Sequence, residues 1–338
     1  MLLALIALAS TAPAPGRSAA ETQSPKSAEQ GYAKYIFYDV KPVTPEMAAI
    51  MKQMQQKSQS TVEGTRILDL DTTRAEGAPY MDFVWLWKGS AKSYSEEEHV
   101  HDFDEVIGFI GSRGEKDPRE LGGEMEVWLG GEKYLITRSC LIFVPKGTRH
   151  CPIRFNRIDS PILFFTIGLT TKYSRTATKF DDSRSAERNF AKYISYDVNP
   201  SKVSPEAEKR MEELNRKIGS TVRGTRLLDI DKVEGSFYTD FLWMWPGTAK
   251  GNIEEEHSHD FDEVIGFIGA KGQQAAHALG GEVEVWLEGE RYLINKSCLI
   301  WVPKGLKHCP IRIVRMDSPV LVFTIGNVGK YSSIKTNQ

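Results

Sequence analysis

Four cysteines are few for a chain of 338 residues, and none lies in a Cys-x-x-Cys pair. That excludes a zinc ribbon or a thioredoxin-type motif. They form two positions, each duplicated: Cys140 and Cys151, then Cys298 and Cys309. Cys140 and Cys151 flank a turn, so either a disulfide or two small buried hydrophobes fits them. An excess of one charge is also lacking. The 43 Lys and Arg face 45 Asp and Glu, a net charge of -2. With no basic run, that balance points to no nucleic-acid partner and no membrane partner. Long apolar runs are missing as well. Leu2–Ala9 is apolar but far too short to span a bilayer. It reads either as a secretory leader without its usual basic start or as a disordered segment, which leaves a cytoplasmic or a secreted protein open. Residues 1–28 are therefore set apart from the fold. Histidine is scarce too, at seven in the whole chain.

Six of those histidines fall at duplicated places. EEEHVHDFDEVIGFIG at Glu96–Gly111 returns as EEEHSHDFDEVIGFIG at Glu254–Gly269. SCLIFVPKGTRHCPIR at Ser139–Arg154 returns as SCLIWVPKGLKHCPIR at Ser297–Arg312. Shorter matches extend the repeat, such as AKYIFYDV at Ala33–Val40 and AKYISYDV at Ala191–Val198. Such self-similarity divides the chain into one domain over residues 30–172 and a second over 188–331. The polar stretch 173–187 reads as a linker.

Each domain opens with a helix signal. Thr44 and Ser204 can cap, Pro45 and Pro205 suit the first turn, and Glu46 and Glu206 suit its positive end. Ile50, Met51 and Met54, then Met211, Leu214 and Ile218, form the apolar stripes. After the helix the period becomes two, in short β-branched and aromatic runs bounded by Gly, Pro or charged turns. This is an all-β pattern, a sandwich or barrel in each domain.

The histidines carry the chemistry. His99, His101 and Glu105 share strand parity, as do His257, His259 and Glu263, so an extended segment points three ligands to one side. His150, or His308, follows the turn Pro145-Lys146-Gly147 or its copy and can arrive from a neighbouring strand. Three imidazoles and a carboxylate suit a divalent transition metal, one per domain. Fe or Mn is favoured, and Ni, Zn or Cu also accept such ligands.

Arg154 and Arg312 share parity with His150 and His308. They either reach the metal cavity and anchor a substrate oxygen, or lie beyond the inward strand in solvent. Phe83, Trp85 and Trp87, with Phe241, Trp243 and Trp245, line a pocket or pack between sheets or units. The acids Glu96–Glu98, Asp102 and Asp104 orient a ligating histidine, serve as an acid or base, or form a solvated loop. Glu124 and Glu126 alternate with apolar residues and read as the wet face of a strand.

HVHDFDE and HSHDFDE resemble the first cupin motif, H-x-H-x(3,4)-E. PKGTRH and PKGLKH resemble the second, P-x-G-x-x-H. The resemblance covers both domains and so is to a bicupin. It implies two tandem double-stranded β-helices, or jelly rolls. It also implies a metal held by His99, His101, Glu105 and His150, and again by His257, His259, Glu263 and His308. Ser139 and Ser297 replace the glycine that usually opens the second motif, and Arg154 and Arg312 replace the asparagine that often closes it. The activity the resemblance implies first is a metal-dependent oxidoreductase, a dioxygenase on a small enolic, phenolic or carboxylic substrate. An oxalate-decarboxylase-like or isomerase bicupin is the alternative, and a non-enzymatic metal or small-molecule binder the third. The two domains are expected to pair within the chain as a pseudo-dimer, with a homo-oligomer also open. Around the unchanged ligands the copies differ at Val100 and Ser258, Thr148 and Leu306, Arg149 and Lys307, and Phe143 and Trp301.

Overall fold

A computed structural model describes residues 31–180 and 189–335. The leader-like segment 1–28 falls outside the described residues. Among those described, no helix is long and apolar enough to cross a membrane. The first unit contributes β1 (Ile36–Phe37), α1 (Pro45–Ser58), β2 (Glu63–Leu70), β3 (Tyr80–Lys88), β4 (His99–Val100), β5 (Glu105–Gly111), β6 (Glu120–Leu129), β7 (Glu132–Arg138), β8 (Cys140–Val144), β9 (His150–Ile158), β10 (Ile162–Gly168) and β11 (Thr176–Ala177). The second repeats them as β12 (Ile194–Ser195), α2 (Pro205–Lys217), β13 (Gly224–Leu228), β14 (Tyr238–Met244), β15 (His257–Ser258), β16 (Glu263–Gly269), β17 (Ala278–Leu287), β18 (Glu290–Lys296), β19 (Cys298–Val302), β20 (His308–Met316), β21 (Val320–Gly326) and β22 (Ile334–Lys335).

Each unit is a jelly roll of two antiparallel sheets, as the cupin resemblance implies. In the first unit the orders are β12-β8-β5-β10-β3-β2 and β11-β4-β9-β6-β7. In the second they are β1-β19-β16-β21-β14-β13 and β18-β17-β20-β15-β22. The outermost strand of each six-stranded sheet comes from the other unit. Ile36 pairs with Ile300 and Phe37 with Leu299, while Ile194 pairs with Ile142 and Ser195 with Leu141. The units have exchanged their first strands, and each covers the other's open edge.

The six-stranded sheets also meet face to face. Phe83, Phe165, Phe241 and Phe323 close a ring of stacked aromatics with centroids 5.1–5.2 Å apart. Trp85, Trp87, Trp243 and Trp245 join the same cluster, so these aromatics are inter-unit packing and not a pocket wall. The glycine inside the repeated EVIGFIG follows from this ring. A Cβ on Gly108 would lie 2.0 Å from Phe165, and one on Gly266 2.0 Å from Phe323.

The helices start as their caps dictate. The Thr44 hydroxyl accepts from the Met47 amide at 3.3 Å, and Ser204 does the same for Ala207. They differ in depth. Met51 is 1% exposed and inserts into the first barrel, whereas its counterpart Met211 is 45% exposed. Ile50, read as part of the first stripe, turns outward at 38% exposed. All four cysteines are free and buried, which removes the disulfide reading.

Candidate metal centre

The first-motif ligands do not lie on one continuous strand. β4 ends at Val100 and β5 begins at Glu105. A short loop between them gathers the donors, in place of simple alternation. Asp104 fixes that loop to the second motif by accepting the Lys146 amide at 2.8 Å, and the Gly147 amide donates to the His101 carbonyl at 2.9 Å. Gly147, at φ +77°, supplies the left-handed turn residue this needs. His99 and His150 then face each other as a cross-strand pair. Asp262, Lys304, Gly305 and His259 repeat the stitching, and His257 pairs with His308.

The three imidazoles of each unit converge. Ring centroids of His99, His101 and His150 are 4.3–4.8 Å apart, and those of His257, His259 and His308 are 4.4–4.9 Å apart. Glu105 Oε2 lies 3.5 Å from His101 Nε2 and 3.2 Å from His150 Nε2, and Glu263 lies 3.5 and 3.3 Å from His259 and His308. Every one of these histidines places its Nδ1 on a backbone carbonyl. His99 and His257 use Glu97 and Glu255, both at 2.7 Å. His101 and His259 use Ser174 and Ser332, both at 2.6 Å. His150 and His308 use Thr148 and Leu306, both at 3.0 Å. These bonds set Nδ1 as the protonated nitrogen and leave Nε2 with its lone pair aimed inward.

The Nε2 atoms of His101, His150, His259 and His308 are buried without a hydrogen-bond partner. A divalent transition metal meets that need. Two donors each about 2.1 Å from one ion stand roughly 3.0–3.4 Å apart at octahedral to tetrahedral angles, close to the spacing found here. Burial pushes Glu105 up, but the imidazoles of His101 and His150 beside it outweigh that and hold the carboxyl well below the usual range. Burial and the nearby His150 push His99 down to about 3. His99 is therefore neutral and Glu105 ionised, the form in which each can bind a metal. Cys151 is close to His99 and His150. Burial and the carboxylates of Glu96 and Glu105 push its thiol well up, so it lines the site as a neutral thiol.

The acidic side chains play other parts than orienting the ligands. Asp104 staples the turn, Glu98 accepts from Thr178 at 2.8 Å, and Glu96 is ion-paired with Arg175. Arg154 and Arg312 do not reach the metal cavity. Leu129 pairs with His150 but Val127 pairs with Ile153, so β9 carries one extra residue. This bulge, with Cys151 at φ +62°, reverses the parity beyond it. Ile153 and Phe155 therefore enter the core, and Arg154 turns out to meet Glu126 at 2.7 Å. Arg312 likewise bonds Glu284 at 2.7 Å. Glu126, read as facing water, is nearly buried beneath Arg154 and Tyr94.

The stretch 173–187, read as a linker, begins inside the first site. Tyr173 packs edge-on to His101 at 5.0 Å, Ser174 accepts from that histidine, and Thr176–Ala177 pair with β4. Tyr331, Ser332 and β22 do the same for the second site, so that unit extends past residue 331.

The two sites differ in what surrounds the donors. In the first unit Phe109 stacks on Phe164 and Phe155 meets Phe164 edge-on inside the barrel, with centroids 4.9 and 5.7 Å apart. In the second, Ile313 and Val322 stand where Phe155 and Phe164 do, and a cavity of about 400 Å³ opens there. It is lined by His257, Glu263 and His308 at one end, and by Ile313, Val322 and Leu214 along its walls. In the first unit Glu96 is 2% exposed and sealed by Arg175. In the second, Ser333 replaces that arginine, and Glu254 lines the cavity with no cation partner among the described residues. Burial, Glu263 and Glu254 all push the Tyr331 hydroxyl up, and its oxygen lies 3.2 Å from His257 Nε2. The acid position was legible through Glu96, the copy of Glu254, whereas Tyr331 had no signal; the paired differences, Arg175 against Ser333 and Phe164 against Val322, single out the second copy.

No family model matches the sequence, and no curated protein does. Among solved structures the chain is similar to oxalate decarboxylase from Bacillus subtilis at pH 4.6, with a TM-score of 0.47 and 13% identity over 80% of this chain and 74% of that one. It is similar to the Lactobacillus farciminis oxalate decarboxylase formate complex, with a TM-score of 0.47 and 14% identity over 82% and 86%. A third structure, of the Mn(II) centres in Bacillus subtilis oxalate decarboxylase, gives 0.46 and 13% over 82% and 77%. At these values the likeness bears on neither substrate nor reaction.

Proposed function

We propose that the chain is a metal-dependent enzyme whose working site is the second unit. Each unit holds one divalent transition metal, through His99, His101, Glu105 and His150 and through His257, His259, Glu263 and His308. The substrate is a small molecule with a carboxylate or enolate oxygen. The observation that carries this reading is the open cavity on His257, Glu263 and His308, with the Glu254 carboxyl beside them and no cation on it among the described residues. The first unit has the same donors but a filled barrel and a sealed acid, which suits a metal kept for stability.

A metal held by these residues would supply Lewis acidity toward a substrate oxygen. The protein supplies the rest. Glu254 carries or takes a proton within the cavity. The backbone carbonyls of Glu255, Ser332 and Leu306 hold the imidazoles in one tautomer. The apolar walls exclude water around the reacting carbon. Decarboxylation uses such a set with no further reactant. The bond to the carboxyl carbon breaks, its electron pair stays on the remaining carbon, and Glu254 delivers the proton that replaces carbon dioxide. The same acid–base group serves an isomerisation. The dioxygenase expectation rests on the donor set alone; Glu254 adds a proton donor that decarboxylation needs and oxygen insertion does not.

The test is gas exchange by the metal-loaded protein over a panel of carboxylic acids and enolisable ketones. Carbon dioxide release or isomer formation without oxygen uptake supports the proposal. Oxygen uptake in step with turnover would replace it with an oxygen-inserting reaction.

A further inference from the structure

The cavity also says what kind of body the substrate has, given the working site proposed above. Its walls between the donors and α2 are aliphatic, with Ile265, Ile313, Val322, Leu242 and Leu214 among them. A volume of about 400 Å³ equals on the order of a dozen waters and falls in the range of sites for whole organic ligands. A two-carbon acid would fill one end only and leave water against apolar walls. The cations of the cavity are already committed. Arg226 is ion-paired with Asp240, and Lys202 holds Asp229 at 3.1 Å and Asp231 at 2.9 Å. Neither offers a free partner for a second carboxylate at the far end.

We infer that the second unit takes a monocarboxylate, or a single enolate head, carrying an apolar body of about six to ten carbons, and that Val322 and Ile313 set the length of that body. The first unit provides the internal comparison. Phe164 and Phe155, at the equivalent places, occupy this space and are fully buried. These two side-chain changes, with the shallower seating of α2 at Met211, separate the filled barrel from the open one.

Calorimetric titration of the cobalt-loaded protein with acetate, butyrate, hexanoate, octanoate and oxalate tests this. Each buried methylene contributes ~0.8 kcal/mol, about fourfold in affinity. Affinity should therefore climb about fourfold per carbon up to the cavity's length, with one ligand bound per chain. Val322→Phe should cut the climb short while leaving acetate binding and the cobalt absorption unchanged. Ile313→Phe is the second variant, should the first not fold. Hexanoate no tighter than acetate, oxalate tighter than hexanoate, or two hexanoates per chain would each overturn the inference. A parallel series of 1-alkanols on metal-free protein separates the two ideas. No cobalt uptake with a rising alkanol series sinks the metal site but keeps the apolar tunnel. Cobalt uptake with a flat series in both arms sinks the tunnel but keeps the metal.

Discussion

Replacing the same motif glutamate in the two units should have opposite consequences. Glu96 is 2% exposed and ion-paired with Arg175. Glu96→Gln leaves the guanidinium beside a neutral amide. Losing a buried partner outright costs about 3–5 kcal/mol. The amide oxygen still accepts a hydrogen bond, and Arg175 keeps 21% of its side chain in water, so about 2 kcal/mol is expected here. With a urea m-value of about 3 kcal/mol/M, the midpoint falls by roughly 0.7 M. Glu254 is exposed and has no cation partner among the described residues. Glu254→Gln should therefore stay within about 0.5 kcal/mol of the parent, yet lose ~10²–10⁴ in turnover as the acid–base group disappears. The assay pairs urea titration followed by circular dichroism with carbon dioxide release. Equal midpoint losses in the two variants, or full turnover in Glu254→Gln, would refute the reasoning. Lost turnover in Glu96→Gln at an unchanged midpoint would move the chemistry to the first unit.

Three further outcomes are expected. Mass spectrometric metal analysis should find close to two divalent ions per chain, falling to one in His99→Ala and in His257→Ala; each ion at a hundredfold excess over its dissociation constant adds about 2.7 kcal/mol, so chelation should lower the melting temperature. Metal-free protein should lose stability as pH falls below ~6.5, by at most about 1.4 kcal/mol per unit, because the unfolded chain takes up the His99 proton there while the folded site refuses it down to about 3. Glu105, held below the usual range, adds to the loss at lower pH, and urea midpoints that stay flat between pH 7.5 and 5 would contradict this. Deleting residues 31–40 removes β1, so amide exchange should speed up at Leu299 and Ile300 on β19 and stay unchanged at Leu141 and Ile142 on β8.

The strands, the helix caps and the convergence of three histidines and a glutamate were legible, because each rests on local spacing and on residue chemistry repeated twice. What was hidden depended on one-residue shifts and on distant partners. Counting alternate residues from His150 left an inward Arg154 open, and a single extra residue at Cys151 reverses that count. Tyr173 and Ser174 looked like linker because they are polar and follow the last strong strand, yet a carbonyl there fixes the His101 ring. Of the neighbouring differences that drew attention, Phe143 against Trp301 lies in the packing between units. The differences that open the second site are ordinary hydrophobic exchanges, Phe155 to Ile313 and Phe164 to Val322, and no motif marks them. Side-chain volume inside a barrel becomes visible only when the barrel is closed.

The traded strands β1 and β12 bear on how such a chain could arise. A single unit made alone would show one bare sheet edge and carry one spare strand that fits another copy's edge. Two identical copies would satisfy both needs by the same reciprocal trade around a twofold axis. The present chain is then a symmetric homodimer written as one polypeptide. In a true homodimer, every substitution appears in both barrels at once, so emptying one barrel empties the other and weakens the whole. Fusion lifts that constraint. One half can stay packed and carry the stability of the pair, while the other gives up its aromatic filling and becomes a place to bind something.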